Sequence, residues 1–122
     1  MCIRDRFRTD WSKRAPADYL NLREDGQHSP GPDASALNYL IDEVDIIGFG
    51  VETIGTGAGQ GVHFDPPHPA HLQIHGANKY GLQCLTNLDQ LPATGVMLLC
   101  APLKIKHGSG SPLRVLALVE ES

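Results

Sequence analysis

Leu37, Leu40, Ile41 and Val44 recur at i, i+3, i+4 and i+7 and so share one face of a helix, with Asp42 and Glu43 turned to water. The start of that helix is legible too. Residues 28–32 read His-Ser-Pro-Gly-Pro, which is turn chemistry, and Asp33 follows as an N-cap whose carboxylate can accept the orphan N–H groups of the next turn. Residues 45–51 then form a β-branched run with Gly48 and Gly50, the length of a buried strand, completing an αβ step. Two further apolar runs, residues 96–103 and 113–119, are bounded by residues 92–95 and 108–112 and read as core strands. Elsewhere the pattern is weaker. Residues 7–11 suit the end of a strand, residues 12–27 a polar surface loop with a turn of helix near 17–22, and residues 72–78 a short helix stopped by Gly76 or Gly81. The expectation is a strand-rich α/β unit with one clear helix.

Composition fits one small soluble domain. The 122 residues are 41% hydrophobic and 20% charged, enough apolar side chain for a core. With 10 Lys+Arg against 14 Asp+Glu the net charge is -4, so there is no positive excess to neutralise nucleic acid or an anionic membrane surface. The longest apolar stretch, residues 96–101, is too short to span a bilayer, and no apolar segment follows Met1, so neither a membrane span nor a signal peptide is expected. Cys2, Cys84 and Cys100 form an odd set without a C-x-x-C pair, which suits free thiols in a cytoplasmic setting. Cys84 and Cys100, inside apolar runs, are expected to be buried and inert. Residues 1–6, Met-Cys-Ile-Arg-Asp-Arg, resemble a translated sequencing-adapter artefact and are set aside as a leader, leaving residues 7–122 as the functional segment.

The sharpest chemical feature is a histidine cluster. Four of the six histidines, His63, His68, His71 and His75, fall in one short stretch with Asp65. If Pro69 occupies the first turn of a helix, His71 and His75 lie one turn apart on one face with His68 close by. Convergent imidazoles and a carboxylate are what a zinc or manganese ion needs, because nitrogen and anionic oxygen together offset the cation's desolvation. Gly55, Gly57, Gly59 and Gly61 precede the cluster, but neither G-x-G-x-x-G spacing nor a following Lys-Ser/Thr is present, so a loop around an active site is expected rather than a phosphate cradle. His28 and His107 are isolated, and Ser109 and Ser111 sit in a glycine-rich turn without the context of a nucleophile elbow.

In order along the chain stand His-Ser-Pro-Gly-Pro (28–32), Ile-Ile-Gly-Phe-Gly-Val-Glu-Thr (46–53), Pro-x-His (69–71), Gly-Leu-Gln-Cys-Leu-Thr-Asn-Leu-Asp-Gln-Leu-Pro (81–92) and Ala-Pro-Leu-Lys-Ile-Lys-x-Gly-Ser-Gly-Ser-Pro-Leu-Arg (101–114). Together they resemble the C-terminal half of the metal-dependent cyclase family, which contains the bacterial kynurenine formamidases and related cyclic-amide hydrolases. The resemblance runs from about Phe7 onward. It implies an α/β fold with a mixed sheet and flanking helices, of the swivelling β/β/α kind, here an incomplete domain. It also implies a hydrolase, arylformamidase-like and of the tryptophan-catabolism kind, that uses a divalent metal, zinc or manganese, to activate water against an amide, N-formyl or cyclic-amide carbonyl. The implied partner is a small-molecule amide or lactam, and the implied assembly of the complete protein is a homodimer or larger.

Two departures qualify that picture. The family's main metal motif, His-x-Gly-Thr-His-x-Asp-x-Pro-x-His, is absent; residues 61–67 imitate its middle, but Gly59 and Pro69 stand where its outer histidines would be. The resemblance assigns His71 to the family's second-half histidine, a second-metal ligand or general acid/base. Where formamidases carry a glutamate this chain has Gln83, whose amide cannot exchange a proton but offers a neutral oxygen to a metal, a water or a substrate. The expected catalytic residues are thus His71 and Gln83, both also metal candidates, with His63 and Asp65 as weaker ligands. His75, Phe64 and Tyr80 are expected at the substrate. The competing expectation is a non-catalytic metal module held by His63, Asp65, His68 and His71.

Overall fold

The computed structural model describes residues 4–119. In chain order these form β1 (Arg4–Phe7), β2 (Leu22–Arg23), β3 (Gly26–Gln27), α1 (Ala34–Asn38), β4 (Gly48–Val51), a π-helical turn (His71–His75), β5 (Tyr80–Leu82), β6 (Val96–Cys100) and β7 (Val115–Val119). The chain divides into two units between Leu88 and Asp89. Cys2 lies outside the described residues, whereas Arg4 to Arg6 of the expected leader belong to β1.

In the first unit, β1, β4 and β5 make a parallel sheet with β4 in the middle, Arg4 opposite Gly48 and Gly48 opposite Tyr80. A central parallel strand is covered on both faces, and every residue of β4 is buried. The core gathers around it: Leu37, Ile46, Phe49, Val51, Ala70 and Ile74 are buried together, with Phe7, Leu40, Ile41 and Val44 packed against them. Phe7 stacks on Phe49 with ring centroids 6.3 Å apart. The helix face read from the sequence is therefore the face that packs.

Asp33 caps α1 as its position promises: its Oδ1 accepts from the Ala36 N–H at 2.8 Å and from the Ser35 hydroxyl at 2.9 Å. After Asn38 the helix widens into a π-type turn, Tyr39–Glu43, closed by Val44 N–H to the Tyr39 carbonyl at 3.1 Å. A single widened turn keeps Leu40, Ile41 and Val44 toward the core, so apolar spacing alone does not reveal it. The 17–22 turn is a 3-10 turn over Pro16–Asp18. The His-Ser-Pro-Gly-Pro segment lies directly on the glycine loop: the Gly59 N–H donates to the Ser29 carbonyl at 3.0 Å, and a Cβ on Gly59 would stand 2.3 Å from the Gln27 carbonyl oxygen.

In the second unit, β6 and β7 pair antiparallel, Val96 opposite Val119 and Cys100 opposite Val115. Both strands were foreseen, but they are not core strands. Met97 is 62% exposed and Leu118 53%, and Leu99, Leu116 and Val119 are exposed as well. A two-stranded ribbon has two faces and cannot bury both by itself. No helix among the described residues is long and apolar enough to cross a membrane.

Candidate active site

Parallel strands deliver their loops to one edge, and ligand sites of parallel sheets form beyond their carboxyl ends. Here β1 runs on to Thr9 and Trp11, β4 to Glu52 and Thr53, and β5 to Gln83 and Cys84. Gln83 is exposed immediately after Leu82, which pairs with Gly50. Its neighbours are held in place, because the Cys84 N–H donates to the Thr53 carbonyl at 2.9 Å and the Leu85 N–H to the Val51 carbonyl at 3.0 Å. Cys84 itself is exposed and Cys100 half-buried, which corrects the expectation of two buried thiols. Apolar neighbours in sequence do not bury Cys84, since it stands at the sheet edge in a left-handed conformation, φ 55°.

The histidines come together as their spacing predicts. Buried Pro69 and Ala70 open the helical segment that carries His71 and His75. The His71 ring meets His68 edge-on at 6.3 Å between centroids and His75 at 5.9 Å. Burial, and then the charges of His75 and His68, push the His71 pKa below its ordinary value. Gly57 lies beside it: a Cβ there would be 3.6 Å from His71 Nδ1, so the glycine loop does border the imidazole.

His75 is oriented from behind. Its Nδ1 stands 3.1 Å from the Lys79 carbonyl, which can only accept, so Nδ1 carries the proton and the neutral ring keeps a lone pair on Nε2. Lys79 in turn is fixed by Asp45, Nζ to Oδ1 at 3.0 Å. The ring lies over Gly81, where a Cβ would approach His75 Cε1 to 3.2 Å. Beside it Thr56 is fully buried with its methyl toward Gly81, and among the described residues its hydroxyl has no hydrogen-bond partner.

The other candidates spread out. His63 ends a 3-10 turn, Gly61–His63, and is exposed. Phe64 and Asp65 line a cleft of about 370 Å³ with Asp33, Ala34, Ser35 and Pro69. Tyr80 packs its ring over Gly48, where a Cβ would meet ring carbons at 2.3 Å. Among the described residues no group of three or more His, Cys, Asp or Glu side chains is placed to hold a metal ion. That corrects the metal-module expectation: His63 and Asp65 sit on separate turns from the imidazole row, so the four donors do not converge. The zinc or manganese implied by the family resemblance likewise has no complete ligand set within these residues.

One residue that sequence reasoning passed over is prominent. Glu52, 1% exposed, directly follows β4, and its carboxylate accepts from the Thr9 N–H at 2.7 Å, the Ser12 hydroxyl at 2.8 Å, the Thr9 hydroxyl at 3.2 Å and the Trp11 N–H at 3.3 Å. The available signal was a glutamate directly continuing a buried apolar run.

No protein-family model matches the chain. Relatives do. A protein of Roseibium aggregatum named isatin hydrolase is 52% identical over 118 residues, 95% of this chain and 44% of that protein. Isatin hydrolase A from Labrenzia aggregata, solved bound to benzyl benzoate, is 67% identical with a TM-score of 0.94 over 97% of this chain and 46% of the other. An isatin hydrolase solved with the product analogue thioisatinate is 51% identical with a TM-score of 0.92, over 97% of this chain and 45% of that one. The fold is thus a mixed α/β arrangement matching part of a larger domain. The chain is similar to these isatin hydrolases along nearly all of its own length, and it spans less than half of theirs.

Proposed function

We propose that this chain supplies the proton-transfer side of a hydrolase that opens a cyclic amide of the isatin type. The observation that carries the reading is 67% identity to an isatin hydrolase with a TM-score of 0.94. In that reaction water adds across the amide: its oxygen bonds to the carbonyl carbon, the ring C–N bond breaks, and the nitrogen leaves with a proton. His71 moves the proton, since its depressed pKa keeps the imidazole neutral and able to accept at neutral pH. Gln83, at the carboxyl end of β5, orients the carbonyl or the attacking water through its amide. His75 and Phe64 border the substrate, while Tyr80 supports the floor beneath β5. The reading includes a divalent metal, zinc or manganese, with principal ligands outside this chain, and a cytoplasmic homodimer or larger assembly.

The test follows isatin ring opening by absorbance, using the chain alone and the chain extended upstream to the length of its relatives, with an N-formyl-arylamine as comparison substrate. Isatin is the expected substrate, and His71→Ala lowers kcat on the order of 10²-fold. Full activity in His71→Ala would remove the proton-transfer role, and turnover of the N-formyl compound alone would replace the cyclic-amide assignment.

A further inference from the structure

Among the described residues, Glu52 carries a buried carboxylate that the proposed chemistry leaves unused. Four hydrogen bonds reach it, all from the loop that leaves β1. No cation is among these partners, so backbone and hydroxyl dipoles offset its desolvation. The main chain of the same residue is engaged as well: the Tyr19 hydroxyl donates to the Glu52 carbonyl, and the Cys84 thiol is near enough to help raise the phenol's pKa. Trp11 Nε1 donates to the Tyr19 carbonyl at 2.7 Å, which closes the loop on itself. Finally the Cys84 N–H reaches the carbonyl of Thr53, next to Glu52. The exits of all three parallel strands are thereby tied at the adjoining residues Glu52 and Thr53, at the edge where Gln83 emerges between Leu82 and Cys84.

We infer that Glu52 is a positioning residue: through Tyr19, Thr53 and Cys84 it fixes the backbone on which Gln83 is presented to the substrate. The structural part stands on the contacts alone, and its catalytic consequence rests on the hydrolase reading above. Loss of the clasp frees the β5 exit while the imidazole row, carried by a different segment, stays in place.

The experiment is amide hydrogen exchange on the 122-residue chain, comparing wild type with Glu52→Gln and Tyr19→Phe. A purely global destabilisation accelerates the Cys84 and Leu85 amides in step with those of β4. A positioning role accelerates Cys84 and Leu85 at least about tenfold more than β4 in both variants. Exchange that tracks β4 overturns the inference, and where Glu52→Gln fails to fold, the near-isosteric Tyr19→Phe decides. In the upstream-extended chain, Tyr19→Phe lowers kcat about tenfold with KM within about twofold, because placement is lost and binding surface is not. An unchanged kcat in an active protein also overturns it. A wild type inactive on isatin counts against the functional reading, and the exchange result still decides the role of Glu52.

Discussion

The imidazole of His75 stands edge-on to that of His71, ring centroids 5.9 Å apart and planes at 66°. The two cannot both take a proton without repulsion, and His71 carries the shift because it also loses solvent. Its NMR titration midpoint is expected below the usual value of about 6.5. His75→Gln raises that midpoint part of the way and His68→Gln by less, while burial keeps it depressed in both. A midpoint unmoved by either substitution removes the coupling. The sign for stability follows from the same shift. The unfolded chain binds this proton more readily, so stability rises with pH between the depressed folded value and about 6.5 and is lost as pH falls through that window.

Tyr19 titrates at the other end of the scale. Burial, then the Cys84 thiol and Glu52, push its phenol up to about 12. The folded protein therefore holds this proton where the unfolded chain, at about 10, releases it, and stability drains as pH rises from about 10 toward the folded value. Tyr19→Phe flattens that alkaline decline. Thermal melts across the range measure it, and an identical slope in wild type and variant would count against the assignment.

Glycines 59 and 76 are expected to respond oppositely to alanine. At Gly59 the new methyl meets the Gln27 carbonyl oxygen at 2.3 Å, and backbone must move, costing about 1–3 kcal/mol. Gly76 has helical angles, φ -62° and ψ -32°, and nothing within 4 Å of its would-be Cβ, so Gly76→Ala stabilises by about 0.5–1 kcal/mol. Urea denaturation of both variants gives the two signs.

The unpartnered hydroxyl of Thr56 supplies a third stability test. Thr56→Val keeps the shape and removes a buried oxygen without a hydrogen bond, so it stabilises by about 1 kcal/mol. Destabilisation of similar size would show that the hydroxyl has a partner in solution.

What the sequence discloses here is local. The Asp33 cap and the face of Leu37, Leu40, Ile41 and Val44 are legible because capping and helical period act within a few residues. So is the meeting of His71 with His75, one turn apart. β5 is not legible: Tyr80, Gly81 and Leu82 carry no alternation, and their strand exists because β4 lies beside them. Glu52 reads as an ordinary glutamate because its partners, Thr9, Trp11 and Ser12, are distant in sequence. The exposed ribbon of β6 and β7 reads as core in the sequence because apolar runs report that burial is wanted, without reporting what covers them.

The parallel sheet also has a kinetic meaning. Among the described strands β1 pairs with β4, so Arg4 meets Gly48 across everything between them before that ladder forms. During synthesis β1 therefore emerges well before its partner. Closing such distant pairs makes folding slower than for a helical chain of equal length, and the waiting strand is the segment a chaperone would have most reason to hold.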